Sequence, residues 1–312
     1  SVCSGNNIER IGIIDRHASL GKIYSRVTML LGMTPWEHEY KLMGMAPYAD
    51  PERADIAAGT FRNLLKLSDD KTTFVQNSEI SMNYCYNVLR ESFERIRFDT
   101  LAGATQLFTE EMLVDWVRGC IKKTGISDIV AGGGVFMNVK ANMLIAQLPE
   151  VTSFYVMPSG ADESLSIGAC LHRYYHQNEQ TDHSESVFEN LYLGGEFTKK
   201  QEERAIAEIC GDNIEVAELE NVDGVVADLL AEGEVVARAR GKMEWGARAL
   251  GNRSILVSGH DYRVVDQLNQ AIKQRDFWMP FAPSVLEESA HRYFSDPKNL
   301  RPYFMTHTFE TN

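Results

Sequence analysis

The sequence lacks the features that mark several common protein classes. Its five cysteines are widely spaced and include no CxxC pair, which predicts reduced, buried thiols in a cytoplasmic protein rather than a disulfide framework. No apolar run reaches membrane-spanning length and no signal peptide opens the chain, so we expect no membrane partner. Neither a Walker A loop nor a GxSxG elbow is present, so neither a P-loop nucleotidase nor a serine hydrolase is supported.

A positive overall charge is also missing. The chain has 44 acidic and 31 Lys or Arg residues, a formal net charge of −13, and a pI near 5.1. This balance argues against stand-alone binding of nucleic acid or of an anionic membrane surface. An anionic ligand would therefore have to be attracted by a local cluster of cations.

The length of 312 residues predicts two domains, which we place at 1–185 and 186–312. The chain opens without Met in a β-like stretch, and its last residues, RPYFMTHTFETN, are β-rich without a turn or cap. We therefore expect it to be a fragment that is cut at one or both ends.

A basic block from Val236 to Pro283 runs against the acidic background. Its acidic residues are Glu244, Asp261, Asp266 and Asp276. Its cations are Arg238, Arg240, Lys242, Arg248, Arg253, Arg263, Lys273 and Arg275. Small residues lie among them, so backbone N–H groups and arginine forks can approach one anion closely. We interpret the block as an anion site, and a solvated basic face is the alternative.

Periodicity predicts a mixed α/β (α+β) chain with two strand–loop–helix units. The predicted elements are a strand at Ile8–Ile14, helices at Ser19–Leu31 and Asp99–Thr124, a helix opened by Asp50 and Pro51, strands at 128–131 and 153–156, and helices at 138–148, 165–175 and 198–209. Residues 177–190 are polar and are predicted to be a linker.

The loops of the two units carry candidate ligand groups. The turn Gly132-Gly133-Gly134 connects a strand to the N-terminus of a helix, a place that suits phosphate or ribose. Close packing alone could also require these glycines. Asp162 follows the next strand, where a carboxylate binds a metal, orients a substrate or caps the helix. His172 and His176 have the i, i+4 spacing of metal ligands, but exposed histidines are common at helix C-termini.

Five segments in order resemble one family over nearly the whole chain. They are EYKLMGMAPY, AGGGVFMN, PSGADESLSIGA, GKMEWGARALGNRSIL and KQRDFWMPFAPSV. Together they resemble the O-carbamoyltransferase family of NodU and TobZ. The resemblance implies part of an actin-like (sugar kinase/Hsp70) ATPase fold followed by part of a YrdC-like domain.

The resemblance also implies the chemistry. In the family, the YrdC-like part converts carbamoyl phosphate and ATP to carbamoyl-adenylate. The actin-like part passes the carbamoyl group to an acceptor hydroxyl with the help of iron or a similar divalent metal. Neutralising two polyanions during activation requires clustered cations.

The resemblance carries over to named residues. Those expected to act in activation are Arg240, Lys242, Arg248, Arg253, Lys273 and Arg275. Those expected to bind the nucleotide or face its cleft are Gly132, Gly133, Gly134, Asn138, Glu39, Lys41, Asn252 and Ser254. Asp162 matches a metal-ligating aspartate.

The chain departs from the family pattern in three ways. Ala247 replaces a proline, and Met279 stands where an arginine commonly precedes Pro280. The family's HxxxH metal ligands are absent, so we expect the other ligands outside this chain and these 312 residues alone to be inactive. A non-catalytic relative that binds ATP or carbamoyl phosphate, and a protein like those of tRNA threonylcarbamoylation, are the alternatives. The acceptor, the metal and the oligomeric state cannot be deduced.

Overall fold

The computed structural model describes residues 1–5, 7–177, 188–209, 214–260, 262–272, 275–300 and 303–312. These form two compact units, Ser1–His183 with Trp278–Asn312, and Ser184–Phe277. The boundary predicted at residue 185 lies beside the end of the first stretch, whereas residues 278–312 associate with the first unit instead of the second. Which of the two implied folds each unit adopts stays a prediction.

Helices and short strands alternate along the chain, which confirms the predicted mixed α/β class. The helices are α1 Leu20–Leu30, α2 Glu39–Met45, α3 Pro51–Leu64, α4 Tyr86–Ser92, α5 Phe98–Thr124, α6 Val139–Gln147, α7 Ser164–Gln177, α8 Lys199–Ile209, α9 Val222–Glu232 and α10 Tyr262–Gln267. The strands are β1 Val2–Ser4, β2 Asn7–Glu9, β3 Leu65–Leu67, β4 Phe74–Gln76, β5 Asp128–Ala131, β6 Ser153–Val156, β7 Val236–Ala239, β8 Arg253–Leu256, β9 Phe294–Ser295 and β10 Glu310–Thr311. Among the described residues, no helix is both long enough and apolar enough to cross a membrane.

The strand predicted at Ile8–Ile14 is wrong over most of its length. Strand β2 ends at Glu9, because its antiparallel partner β1 offers only three residues for pairing. Ile11 and Ile13 lie beyond it and are 41% and 72% exposed, so their alternation does not mark a buried sheet face. The N-terminal end of α3 is as expected, since the Asp50 carboxylate accepts the Arg53 N–H at 3.0 Å and Pro51 is the first helical residue.

Helix α5 lies at the centre of the first unit. It has an acidic residue in its first turn and lysines in its last, which complements the helix dipole, and it ends at Gly125 in the left-handed conformation. Helices α1, α2, α3 and α6 all contact it. Two of its glycines permit close approach of connecting segments: a Cβ at Gly103 would lie 2.4 Å from the Cβ of Ala49 before α3, and one at Gly119 would lie 2.3 Å from the Lys71 carbonyl oxygen between β3 and β4.

Strands β5 and β6 are parallel neighbours, with Asp128 paired to Ser153 and Ala131 to Val156. Each is followed by a loop and a helix, as the sequence predicts. Because the carboxyl ends of parallel strands meet at one edge of a sheet, the two loops leave β5 and β6 side by side. This edge brings the glycine turn and the segment with Asp162 into one place.

The packing of α5 makes a testable prediction for stability. Gly103→Ala should lower the free energy of unfolding by about 1–3 kcal/mol, because the added methyl group overlaps Ala49. Gly59→Ala in α3 is the matched control: a Cβ there meets no atom within 4 Å, so stability should stay constant or rise by up to about 1 kcal/mol. Thermal unfolding followed by circular dichroism measures both, and equal midpoints for the two variants would contradict this account of α5.

Candidate functional site

The glycine turn after β5 packs directly on the loop after β6. The Gly133 N–H donates to the Gly160 carbonyl oxygen at 2.7 Å, and Gly133 has a φ of 107°, which favours glycine. A Cβ on Gly160 would lie 3.0 Å from the Met157 carbonyl oxygen and 3.4 Å from the Gly133 nitrogen. Backbone conformation therefore accounts for Gly133, and close packing accounts for Gly160. A Cβ on Gly134 would meet nothing within 4 Å, so its surroundings leave room for a ligand.

Asp162 lies on this second loop with its side chain exposed to solvent. Its carboxylate makes no hydrogen bond or ion pair within the described residues, so it is free to bind a cation. No group of three or more His, Cys, Asp or Glu side chains that could hold a metal occurs in the part of the chain that the structure describes. The rings of His172 and His176 contact each other edge to face, with centroids 4.4 Å apart, on an exposed face of α7.

Asn138 is buried and its amide is fully used by the fold. Its Oδ1 accepts from Gln106 Nε2 at 2.9 Å and from the Ala141 N–H at 3.0 Å, while its Nδ2 donates to Gln106 Oε1 at 2.8 Å. Gln106 Oε1 also accepts from the Tyr24 hydroxyl at 3.0 Å. The amide thus caps α6 and ties it to α5 and α1, and the expected adenosine contact stays a prediction.

Glu39 and Lys41 both lie on α2, next to this network. Glu39 accepts the Trp36 N–H at 2.7 Å, which closes the turn before α2, and Lys41 is half-buried. Burial raises the pKa of the Tyr24 phenol, with the negative charges of Glu110 and Glu39 adding to the effect. Burial also raises the pKa of the Glu110 carboxyl. The first unit thus keeps both groups protonated to higher pH than in water.

In the second unit, Glu244 organises the loop between β7 and β8. One of its oxygens, Oε1, accepts backbone N–H groups from Leu250, Asn252 and Arg253 at 2.8, 2.7 and 3.1 Å. Burial opposes ionisation of this carboxyl, but the backbone donors together outweigh it and hold its pKa below the ordinary value. The lone acid of the loop is therefore a structural anion that fixes the backbone around it.

The Arg253 side chain hydrogen-bonds to backbone carbonyl groups of the same loop. Its Nη1 donates to the carbonyl oxygens of Arg240 and Asn252 at 2.8 and 3.0 Å, and its Nη2 donates to that of Gly241 at 3.1 Å. Asn252 Nδ2 donates to the Lys242 carbonyl oxygen at 2.8 Å, and Ser254 Oγ accepts the Gly251 N–H at 3.1 Å. Arg253, Asn252 and Ser254 thus shape the loop, and their predicted roles toward a ligand stay predictions.

Arg248 differs from the other cations of the basic block. Its Nε is buried and makes no hydrogen bond among the described residues, where no carboxylate pairs with the guanidinium either. Burial lowers the pKa of this group. Arg248 as a whole is half-buried, and a partly desolvated cation without a counter-charge is costly, which favours an anionic partner.

The remaining predicted cations are spread through the second unit. Arg240 and Lys242 are exposed, and Arg240 Nη1 lies 4.0 Å from the exposed Asp223 carboxylate. Arg275 Nε donates to Asn269 Oδ1 at 2.5 Å. Lys273 lies outside the described residues.

Met279 belongs to the first unit. It is 7% exposed, and its sulfur would lie 3.4 Å from a Cβ placed on Gly44 of α2. The position where the family commonly has an arginine is therefore filled here by a core side chain.

Comparison with known families identifies the family of the chain. A family model described as the carbamoyltransferase N-terminus matches residues 2–171, and one described as the carbamoyltransferase C-terminus matches residues 227–312. The chain belongs to the carbamoyltransferase family. The glycine turn and Asp162 lie in the first matched segment, and the whole basic block lies in the second.

Relatives in this family align along most of the chain. An uncharacterized protein of Methanocaldococcus jannaschii is 30% identical over 292 residues, covering 90% of this chain and 46% of that protein. The nodulation protein NolNO of Sinorhizobium fredii is 29% identical over 310 residues, with 97% and 44% covered. NolO of Bradyrhizobium diazoefficiens is 28% identical over 305 residues, with 96% and 54% covered. The chain spans about half the length of the curated relatives it matches.

Sequence reasoning missed Glu244, which it counted only as an acid diluting the basic block. The signal that could have revealed it is a single acid among glycines, where turning backbone leaves several N–H groups without partners. Gly241, Gly246 and Gly251 all have positive φ in this loop.

The state of Arg248 makes a second testable prediction. Arg248→Met should leave stability in anion-poor buffer unchanged or raise it by up to about 1 kcal/mol, because an unpaired buried charge is removed. It should also abolish most of the stabilisation that added pyrophosphate gives the parent protein. Thermal unfolding with and without pyrophosphate measures both effects.

Arg204→Met is the matched control, because Arg204 is an exposed arginine of the same unit whose one ion pair within the described residues is with Glu208 on α8. It should leave the pyrophosphate effect intact. A full pyrophosphate effect in Arg248→Met would show that Arg248 does not bind the anion.

Proposed function

We propose that the full-length protein is an ATP-dependent O-carbamoyltransferase. It forms carbamoyl-adenylate from carbamoyl phosphate and ATP, and then transfers the carbamoyl group to a hydroxyl of a small-molecule or sugar acceptor. Family membership supports the transferase class, and the uncompensated Arg248 guanidinium in the loop after β7 is the observation that supports an anionic donor. The absence of a disulfide pattern in the sequence supports a cytoplasmic location.

The proposed activation step consumes carbamoyl phosphate, water and ATP and yields carbamoyl-adenylate, phosphate and pyrophosphate. Negative charge builds on the oxygens of the departing phosphate and pyrophosphate as the bonds to these groups break. A fixed cation therefore stabilises the transition state more than the ground state. Arg248 is suited to this role because its side chain is half-buried and its Nε has no partner among the described residues. Glu244 and Arg253 hold the backbone of its loop, so little reorganisation is needed when the anion arrives.

Exposed cations would serve the same step differently. Arg240 and Lys242 lie at the loop surface, where they would attract the polyanions and contact their outer oxygens. Lys273 and Arg275 complete the proposed set on the basis of the family resemblance. A divalent metal such as iron, also implied by that resemblance, gains one ligand here, Asp162, and the described residues do not complete its site.

Two other functions are alternatives that experiment can distinguish from the transferase. A relative that binds ATP or carbamoyl phosphate without turnover is favoured by the buried Met279, which replaces an arginine of the family pattern. A protein that acts on tRNA is disfavoured by the net charge of −13.

The activation step can be tested directly on the full-length protein. Incubation with millimolar carbamoyl phosphate and ATP should release pyrophosphate, and mass spectrometry should detect carbamoyl-adenylate. Arg248→Ala should slow pyrophosphate release by roughly 30-fold or more, since a charge-assisted contact in a buried site contributes about 2 kcal/mol.

Arg204→Ala is the control and should keep the parent rate. Release of neither product by the parent protein would reject the transferase. Calorimetric binding of ATP or carbamoyl phosphate without turnover would identify the non-catalytic relative instead.

A further inference from the structure

An open groove in the first unit lies apart in sequence from every predicted site residue. Its volume is about 470 Å³, within the range of small-molecule sites, and it is formed at the N-terminal end of α1 and the turn before α4. Its lining residues are Arg16, His17, Ser19, Lys22, Asn83 and Tyr84. None of them is acidic.

The two permanent cations of the groove are not neutralised by the protein. Within the described residues neither the Arg16 guanidinium nor the Lys22 ammonium pairs with a carboxylate. The acid beside them in sequence, Asp15, is engaged with the backbone, where its Oδ1 accepts the His17 N–H at 2.7 Å. The groove thus has a surplus of positive charge in a protein whose total charge is strongly negative.

Hydrogen bonds hold the cationic wall in place. Arg16 Nε donates to His17 Nε2 at 3.4 Å, and His17 Nδ1 shares a hydrogen bond with Ser81 Oγ at 2.8 Å. The opposite wall is held by Arg26, whose Nη2 donates to the Asn83 carbonyl oxygen at 2.8 Å. The remaining N–H groups of Arg16 stay available to a ligand, which is the fork geometry that phosphate and carboxylate accept.

Aromatic rings accompany the cations. Tyr84 lines the groove with 78% of its surface exposed. The Lys22 ammonium lies 3.8 Å from the centre of the Trp36 ring, which is 67% exposed. Exposed rings of this kind have an apolar face and a polar edge, which suits the C–H face and hydroxyl groups of a sugar. The Ser19 hydroxyl makes no capping bond to α1 and is available as a further polar contact.

We infer that this groove binds an acidic acceptor, a sugar-sized molecule whose phosphate or carboxylate group contacts Arg16 and Lys22. That the bound acid is an acceptor of the carbamoyl group rests on the proposed function, whereas binding of the acid in the groove does not. It also narrows the acceptor class, because a neutral or cationic sugar would leave both cations unpaired. Recognition would then combine charge at one end of the ligand with the aromatic surface at the other.

Binding is tested first, on the full-length protein without ATP or carbamoyl phosphate. Calorimetric titration uses three probes of similar size: glucose 6-phosphate, glucuronate and glucose. We expect saturable binding of one or both acids and at least tenfold weaker binding of glucose. Preference for one acid identifies the phosphate or the carboxylate as the recognised group.

Variants locate the site. Arg16→Gln combined with Lys22→Gln should weaken binding of the preferred acid at least tenfold. The control is Arg53→Gln combined with Lys66→Gln, which removes two exposed cations of the same unit and should leave affinity unchanged. Binding of no acid at millimolar concentration, or equal loss in both double variants, would overturn the inference. Displacement of the acid by ATP or carbamoyl phosphate would also overturn it, because the groove would then belong to the donor.

A transfer assay separates this inference from the proposed function. With carbamoyl phosphate and ATP present, the preferred acid should gain a carbamoyl group that mass spectrometry detects, and the Arg16 and Lys22 double variant should raise its KM without slowing pyrophosphate release. If pyrophosphate forms but acidic sugars react no better than glucose, the inference fails and the transferase stands. If no pyrophosphate forms, the transferase fails, and the binding result alone decides what the groove holds.

Discussion

The buried amide of Gln106 is the contact on which the first unit depends. It lies on the central helix α5 and bonds to Asn138 at the start of α6 and to Tyr24 on α1. Through Asn138 it fixes where the glycine turn after β5 ends, and through Tyr24 it fixes the helix that begins at the cationic groove. Buried amides are costly when unpaired, so this network admits one arrangement of the three helices. Both candidate ligand surfaces of the unit are therefore placed by a polar contact in its core.

The second unit holds a half-buried cation, Arg248, that no carboxylate of the described residues neutralises. Glu244 and Arg253 carry opposite charges, but they do not pair with each other in the loop. Each binds backbone groups of the opposite polarity instead, N–H groups for the carboxylate and carbonyl oxygens for the guanidinium. This leaves Arg248 as the charge that the loop does not satisfy. The resulting loss of stability would be recovered when the proposed anion binds, which is the usual exchange of stability for function at a site.

Sequence patterns predicted the parts of the structure that depend on local periodicity. Apolar spacing predicted the helix at Asp99–Thr124 and the two strand–loop–helix units, and the structure adds that β5 and β6 pair in parallel, which brings their loops to one edge. The strand at Ile8–Ile14 failed because alternation cannot show whether a neighbouring strand is long enough to pair. The sequence could also not show that Arg253 turns inward while Arg248 lacks a partner, since that depends on which carbonyl groups the folded loop brings near. The groove was missed for a related reason: Arg16 and Tyr84 are far apart in the chain and carry no shared motif.

Both candidate anion sites must work inside a protein of net charge −13. At physiological ionic strength the Debye length is about 8 Å, so distant carboxylates are largely screened and the nearest cations decide the local field. Screening acts unequally on the two sites, however. Ions reach the open groove of Arg16 and Lys22, so attraction there must weaken as salt rises, and contacts with the aromatic surface must supply part of the affinity. The Arg248 guanidinium is half-buried, so its attraction for an anion is screened less than that of the open groove. Charge therefore contributes more to the proposed recognition at Arg248, whereas shape has to contribute more in the groove.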